Sequence, residues 1–583
     1  MWNVLYIDLS RRDFWVEDRS DLFDRWLGGI GVAIQLFKEE IKPGIDPLSP
    51  DNVVVFAVGP LTCLYPMASK TVAVFKSPLT GNLGESHAGG RSAVAIRMAG
   101  YGAIVIKGVS DMPVYLTIGD GIVRFRDAST LWGIRSTVTV GRILREKESG
   151  RGLRTIMRIG RAGENLVRYA CVVTETYRHF GRLGLGAVFG SKKLKALVIY
   201  GRSSIAVKDP RLYRKVYDEI YDLAVKSELM KKYHDIGTSM NVSMLNAIKG
   251  LPTMNLRYSS FDKAEYISGE YLAENRLGRR VACSHCPVAC IHLAALRETY
   301  EKEPYFYKTT YVSYDYEPIY ALGSMLGISD TDGMLKLLDL VEIYGLDAMS
   351  TGVALAWATE AYERGLITVN DTLVELRWGY VEGYMQAVRY LVDQVNQFYR
   401  DLGLGVDYAA KIYGGGDYAL AFGGNEMPGY STGVGAYLTY LIGARHSHLD
   451  SAGYSLDEKL LGREYPPPEQ LVDRLVEEEA WRQVLSSLVV CFFARGIYTA
   501  DRVAEALKAL GVEYSRDTLV DLGFKIYKDK YRVKLDLGFK FDSLRIPKRI
   551  IETEASDRSI DENYLKAALR YFEAKIKGML AEA

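Results

Sequence analysis

Near residue 205 the chain changes its hydrophobic period, and this change limits the fold more than any other feature. Up to about residue 200 it runs in short β-branched stretches broken by glycine or proline: NVVVFAVGPLT, KTVAVFKSPLTGNLG, GAIVIKG, PVYLTIGDG and LKALVIYG. Strands this short with such punctuation predict a β-rich domain. From about Asp209 apolar residues return at helical spacing, as in LYRKVYDEIYDLAVKSELMKKYHD. DGMLKLLDLVEIYG, GYMQAVRYLVDQVNQF and NYLKAALRYFEAKIKGML carry that spacing towards the C-terminal end. A chain of 583 residues is also too long for one core. The expectation is an α+β protein with a β-rich N-terminal domain over 1–205. Two mostly α-helical domains follow, over 206–415 and 416–583, divided near the glycine-rich KIYGGGDYALAFGGNEMPG segment.

Lys and Arg number 73 against 72 Asp and Glu, a balance that removes the electrostatic case for nucleic acid or an anionic membrane as partner. Apolar runs such as VVVFAV and ALVIY are far shorter than the about 20 residues of a bilayer-spanning helix. The opening MWNVLYIDLSRRDFW has no basic start, apolar stretch and cleavage site in secretory order. Six cysteines in so long a chain make no disulfide framework and predict a reducing compartment. Together these predict a soluble, cytoplasmic protein. Scarce Asn and Gln point towards a thermophile host.

Three of the six cysteines fall in Cys283-Ser-His-Cys286-Pro-Val-Ala-Cys290, which argues against chance clustering. Zinc would complete a tetrahedron there with His285 or His292. An iron–sulfur cube needs four thiolates, often three close together and one remote. Cys491, in the apolar SSLVVCFF segment, is a candidate for the remote ligand; Cys63 and Cys171 are the others, both in strand-like segments. The first predicted domain adds glycine-rich stretches: GGIG at Gly28, GNLGESHAGGRSA around Gly89 and Gly90, and GRLGLGAVFGSKKLKA from Gly181. Any one of these reads as turns and close backbone packing. Together, with Arg91, Arg178, Arg182 and Lys192 close by, they suit phosphate groups. None has the spacing of a Walker A loop or a dinucleotide-binding fingerprint.

These residues resemble the aldehyde:ferredoxin oxidoreductase family of tungsten-bispterin enzymes. The resemblance runs in order along the chain: GGIGVA at Gly28, GPLT at Gly59, KSPLTG at Lys76, AGGR at Ala88 and AGENLVR at Ala162. It continues through GRLGLGAVFGSKKLKA, CSHCPVAC, EPIYALGSMLGI at Glu317, YGLDAMSTG at Tyr344 and LRIPKR at Leu544. It implies a β-rich base carrying two pterins, covered by the helical domains, with one tungsten (or molybdenum) held by the pterin dithiolenes. A [4Fe-4S] cluster on Cys283, Cys286, Cys290 and Cys491 would stand beside one pterin. Lys70 falls where the family usually has Arg on a pterin phosphate, and His87 where it often has Asn near a magnesium bridging the phosphates. Gly89, Gly90, Arg178 and Arg182 belong to the phosphate segments.

Glu342, Gly345, Leu346 and Asp347 match the family's acidic-x-x-Gly-Leu-Asp pterin motif. In the related motif before Cys491, Ser486 replaces Asp and Val489 replaces Gly, which leaves backbone contacts. Asp450 stands where a basic residue often follows the active-site histidine. No Glu precedes any of the seven histidines at the spacing that holds a bridging iron in some dimeric members, so a homo-oligomer would form without that iron.

By the same resemblance Glu317 and His448 stand beside the metal, with His446 as the alternative histidine. The apolar EPIYALG setting would raise the Glu317 pKa towards useful acid–base chemistry. The implied reaction is oxidation of a small-molecule aldehyde to the carboxylic acid with water as oxygen source. Electrons would leave through the cluster to ferredoxin or another iron–sulfur subunit. RHSHLDSAGYS departs from the standard aldehyde enzymes and keeps a second role open: the catalytic subunit of a low-potential, aryl-CoA-reductase-like tungsten enzyme with iron–sulfur partner subunits. A zinc-stabilised scaffold without catalysis is the competing class.

Overall fold

The structure, a computed structural model, describes residues 2–175, 177–300 and 302–581. Its opening strands explain why the first apolar runs lack polar alternation. β1 (Asn3–Asp8), β2 (Asp13–Asp18), β3 (Val54–Ala57), β4 (Thr71–Lys76), β5 (Leu83–Ala88) and β6 (Ala103–Lys107) form a sheet in the order β2-β1-β6-β3-β4-β5. β1 and β6 run parallel and the other neighbours antiparallel. A second six-stranded sheet takes β7 (Val114–Gly119), β8 (Ile122–Asp127), β9 (Leu153–Arg158), β10 (Val172–Thr174), β11 (Arg178–Phe180) and β12 (Leu194–Gly201) in the order β11-β10-β9-β12-β7-β8.

Leu5, Ile7, Val54, Phe56, Ile104 and Ile106 of the first sheet share an apolar core with Leu116, Ile118, Met157, Leu197 and Ile199 of the second. The alternate residues Val4, Tyr6, Val55, Val72, Val74 and Val105 join a different core with the helices Gly29–Glu40, Pro468–Ser487 and Arg516–Asp536. A sheet covered on both faces has no polar face, so its strands read as continuous apolar runs. Each such Val, Ile or Phe contributes about 1.5–3 kcal/mol on burial.

The end of the helix Pro468–Ser487 presses on this layer. A Cβ on Gly59 would stand 2.6 Å from the Leu488 backbone, and the turn there cannot give way cheaply. Gly59→Ala is therefore expected to cost about 1–3 kcal/mol by overpacking, read as a lowered melting temperature. Gly416→Ala is the control, because nothing lies within 4 Å of the Cβ it would add.

Helix takes 46% of the chain and strand 18%, with sheets first and helices after, so the fold is α+β. The pattern changes between β12 and the helix Pro210–Lys226. One apolar core then joins the helical region, holding Leu337, Leu355 and Trp357 together with Leu438, Leu475 and Phe572. The helical expectation misses one feature: β13 (Leu277–Val281), β14 (Ile291–Tyr300) and β15 (Glu303–Tyr314) form a three-stranded antiparallel sheet. Its last strand is rich in Tyr and Thr and largely exposed, so β-propensity rather than apolar period marks it. The Cys283–Cys290 loop connects β13 and β14.

Candidate active site

A cavity of about 330 Å³ opens where β5 and β11 meet the helical region. Glu317 reaches it from the first turn of the helix Tyr316–Leu322, which begins after Asp315. Its Oε2 accepts a hydrogen bond from the Gly429 N–H at 3.0 Å. Its Oε1 lies 3.4 Å from His448 Nε2 and has no hydrogen-bond partner. Burial, outweighing the Gly429 bond and Arg182, pushes the Glu317 pKa up to about 8. Burial, helped by Arg182 and Arg445, pushes the His448 pKa down to about 3. At neutral pH the two are therefore a protonated carboxyl facing a neutral imidazole, not an ion pair. His448 Nδ1 also has no partner, and the ring lies 5.2 Å from that of Tyr430.

Cations line the opposite wall. Arg182 donates from Nε to Asp347 Oδ2 at 3.1 Å and from Nη2 to Glu426 O at 2.8 Å, while its buried Nη1 has no partner. Arg178 keeps Nε buried and unpartnered and places Nη1 3.9 Å from Asp315 Oδ2. Lys70 and His87 complete this wall. His87 Nε2 is 2.6 Å from Glu85 Oε1. Burial opposes ionisation of Glu85, yet Lys530 at 2.6 Å, Arg445 at 3.7 Å and His87 together hold its carboxyl well below the usual range. Gly89 makes the wall close-fitting: a Cβ there would stand 2.7 Å from Cys283 Sγ and 3.4 Å from Lys70 Nζ.

Glu342 and Leu346 also line the cavity, with Glu342 Oε2 2.6 Å from His179 Nε2. Gly345 ends the helix Thr331–Tyr344 at φ 72°, a left-handed conformation suited to glycine. Asp347 caps the helix Ala348–Glu363 through the Met349 N–H at 3.0 Å, so its carboxylate serves backbone and Arg182 at once.

Besides the four candidate cluster cysteines, five expected site residues stand outside the cavity lining. His446 is committed on both ring nitrogens, Nδ1 to Tyr440 O at 2.8 Å and Nε2 to Lys534 Nζ at 2.7 Å. Asp450 turns onto Arg445 at 2.6 Å and accepts from the Arg445 and Ser447 N–H groups, so it positions Arg445 rather than meeting a ligand. Ser486 is 3% exposed, in the helix end packed against Gly29. Gly90 and Gly345 act through backbone alone, and Gly90 O accepts the Ser284 N–H at 2.9 Å.

The cysteines are brought together by backbone straps. Cys491 N–H bonds Met67 O at 2.9 Å, Met67 N–H bonds His285 O at 2.9 Å, and Lys70 N–H bonds Val489 O at 3.1 Å. Burial pushes the Cys286 thiol up to about 12, and the next contributors are Cys491 and Cys283. Cys290 is pushed up to about 12 by burial while Arg178 opposes it, and it too feels Cys491 and Cys283. Arg178 in turn interacts with Cys283, Cys290 and Cys491. Among the described residues no three His, Cys, Asp or Glu side chains converge as one metal ion requires. His292 has Nε2 on His234 O at 2.9 Å and Nδ1 3.4 Å from the Tyr314 hydroxyl, so neither nitrogen is open to zinc. Cys171 is buried with its thiol on Leu346 O at 3.6 Å.

The donors present fit a pterin cofactor with phosphate groups, because the two unpartnered guanidinium nitrogens and Lys70 face a glycine-lined wall. Sequence reasoning missed Arg445, Asp315, Glu85, His179 and Tyr430. Arg445 next to His446, Asp315 two residues before Glu317, Glu85 two residues before His87 and His179 next to Arg178 could have been found as neighbours of the motifs; Tyr430 is joined to them by the fold alone.

Comparison with known proteins places the chain among the oxidoreductases. Residues 4–201 match the family described as Aldehyde ferredoxin oxidoreductase, N-terminal domain, and residues 215–576 match Aldehyde ferredoxin oxidoreductase, domains 2 & 3. The tungsten-containing aldehyde ferredoxin oxidoreductase of Thermococcus kodakarensis is 32% identical over 576 residues, covering 94% of this chain and 91% of that protein. The WOR-like subunit of an aliphatic sulfonate oxidoreductase from Pyrococcus furiosus is 29% identical over 443 residues, covering 73% and 68%. The fold resembles that of the BamBC active-site complex of benzoyl coenzyme A reductase, solved with 1,5-dienoyl-CoA, at a TM-score of 0.81 and 21% identity, covering 98% of this chain and 94% of that one. This chain belongs to the aldehyde ferredoxin oxidoreductase family and is an enzyme of it. Membership implies a tungsten–pterin cofactor. No described helix is long and apolar enough to cross a membrane.

Proposed function

We propose that the enzyme oxidises aldehydes to carboxylic acids, with Glu317 and His448 as the catalytic pair and ferredoxin as electron acceptor. The carrying observation is the unpartnered Glu317 Oε1 facing the neutral His448 in one buried cavity. When bound, tungsten on two pterins supplies the oxygen-transfer and two-electron chemistry, and a [4Fe-4S] cluster on Cys283, Cys286, Cys290 and Cys491 relays single electrons. The balance is aldehyde plus water giving carboxylic acid, two protons and two electrons. Neutral His448 donates an N–H to the carbonyl oxygen. Ionised Glu317 takes at Oε1 one of the two protons released in that balance, while the Gly429 N–H holds Oε2. Lys70, Arg178 and Arg182 would hold the phosphate groups of a bound pterin, and Glu342, Leu346 and Asp347 would border it. A magnesium, if bound near His87, would find only Nδ1 of that ring free of Glu85.

Because Glu317 titrates at about 8 and acts ionised, kcat/KM for aldehyde oxidation is expected to rise on the order of tenfold from pH 7 to pH 9. A profile flat over that interval, measured by dye reduction, would remove Glu317 as the base.

A second reading is a low-potential reductase working with iron–sulfur subunits, favoured by the same carboxyl being protonated, and so a proton donor, at neutral pH. A dye-linked screen over aldehydes and aryl thioesters, on anaerobically purified enzyme with its metals analysed, separates the two. Aldehyde-dependent reduction supports oxidation; activity on thioesters alone overturns it.

A further inference from the structure

A second cavity, of about 420 Å³, adjoins the first. Arg495 lines both, and the segment bearing His448 runs between them, with Leu449 facing the first and Ser451 the second. The charged lining of the second is Lys459, Arg474, Arg482 and Arg495 against Glu477 and Glu478. Glu478 is already committed, accepting from Arg482 Nε at 2.8 Å. Arg482 is 3% exposed, spends Nη1 on Leu449 O at 2.7 Å, and leaves Nη2 buried with no partner. A buried guanidinium nitrogen without an acceptor is costly, and an oxyanion is its natural complement. The route from Arg495 to His448 is walled by stacked rings: Tyr233 on Phe493 at 4.5 Å and Tyr430 on Tyr454 at 4.2 Å. That combination suits a ligand with an apolar body and an anionic tail.

We propose that Lys459, Arg474, Arg482 and Arg495 form a subsite for a carboxylate or phosphate group at the end of the substrate remote from the reacting carbon. This rests on the aldehyde-oxidation reading for the reacting end only. The anion sits in the outer cavity, the hydrocarbon lies between the stacked rings, and the carbonyl reaches His448.

The test compares, on the holoenzyme, aldehydes of equal length ending in methyl, carboxylate or phosphate. The wild type is expected to favour the anionic members by about 10- to 100-fold in kcat/KM, the range of one or two charge-assisted hydrogen bonds. Lys459→Gln with Arg474→Gln, both exposed positions that leave the fold intact, is expected to remove most of that preference through KM. Turnover of the methyl-ended aldehyde should stay unchanged. Arg482→Gln gives the same loss where it folds. Equal kcat/KM across the wild-type series, or a preference that survives the double variant, overturns the proposal. Calorimetry with the matching dicarboxylate separates the two ideas. If no aldehyde is oxidised, dicarboxylate binding weakened about tenfold or more in the double variant still supports the subsite, and binding absent or unchanged overturns it. Inorganic phosphate binding without discrimination among the aldehydes also counts against it.

Discussion

Glu317→Gln is expected to lower kcat by about 10²- to 10⁴-fold, the range for removing a positioned acid–base group, with KM little altered. The substitution is nearly isosteric. The glutamine carbonyl oxygen can still accept the Gly429 N–H that holds Oε2 at 3.0 Å, so the loss is confined to proton transfer. The same variant carries a stability signature set by the burial of the carboxyl, which tests its raised pKa independently of turnover. The folded-state pKa of Glu317 is raised from 4.5 to about 8 by burial. A carboxyl shifted in that direction stabilises the fold below its unfolded pKa, and that contribution is lost as pH rises through the folded value. Wild type should therefore lose stability relative to Glu317→Gln between about pH 4.5 and pH 8, then run parallel to it. Denaturation midpoints across that interval, beside single-turnover rates with metals loaded, check both halves. Full turnover in the variant would end the assignment.

The parts of this molecule legible in its sequence are those with local causes. VVVFAV and ALVIY reveal strands because both sheet faces are covered, and the helices reveal themselves through their period. β15 escapes because an exposed strand of Tyr and Thr has no apolar period, and β13 and the short apolar half of β14 lie in a stretch where helical spacing dominates on both sides. In the site, resemblance placed Glu317 and His448, but it could not say that they meet at 3.4 Å or that both are uncharged at neutral pH. Burial keeps Glu317 protonated against the pull of Arg182, and burial helped by Arg182 and Arg445, which lie far apart along the chain, keeps His448 neutral. His446 shows the converse. Two residues from His448, it has the same composition around it, yet its backbone turns through φ 55° and sends the ring to Lys534 and Tyr440 O. A sequence lists both histidines with equal weight; only packing separates them. Asp450 likewise looks like a ligand-facing substitution and proves to be the anchor of Arg445.

Loss of one remote thiol should undo the electron path. Cys491→Ala is expected to abolish the broad absorption near roughly 400 nm of a thiolate-bound iron–sulfur cluster, to lower bound iron, and to stop aldehyde-dependent ferredoxin reduction. The reason lies in how Cys491 is held. Its N–H is tied to Met67 O, Met67 N–H to His285 O, and Lys70 N–H to Val489 O, so one short segment carries both the remote cysteine and the Cys283–Cys290 loop. Those backbone bonds do not involve the thiol, and the alanine variant should fold. Burial first, and then Cys491 and Cys283, push the Cys286 and Cys290 thiols up, so these groups are poor neighbours as free thiols, and their proximity makes sense once an electron-poor metal group takes up the thiolates. Cys171→Ala is the matched control: that thiol is buried on Leu346 O, and the variant should keep its iron and its colour. Cys63→Ala serves likewise. Iron retained in Cys491→Ala and lost in Cys63→Ala or Cys171→Ala would transfer the fourth ligand. No iron in the wild type or in any of the three, with zinc bound in its place, would remove the cluster and the ferredoxin route together.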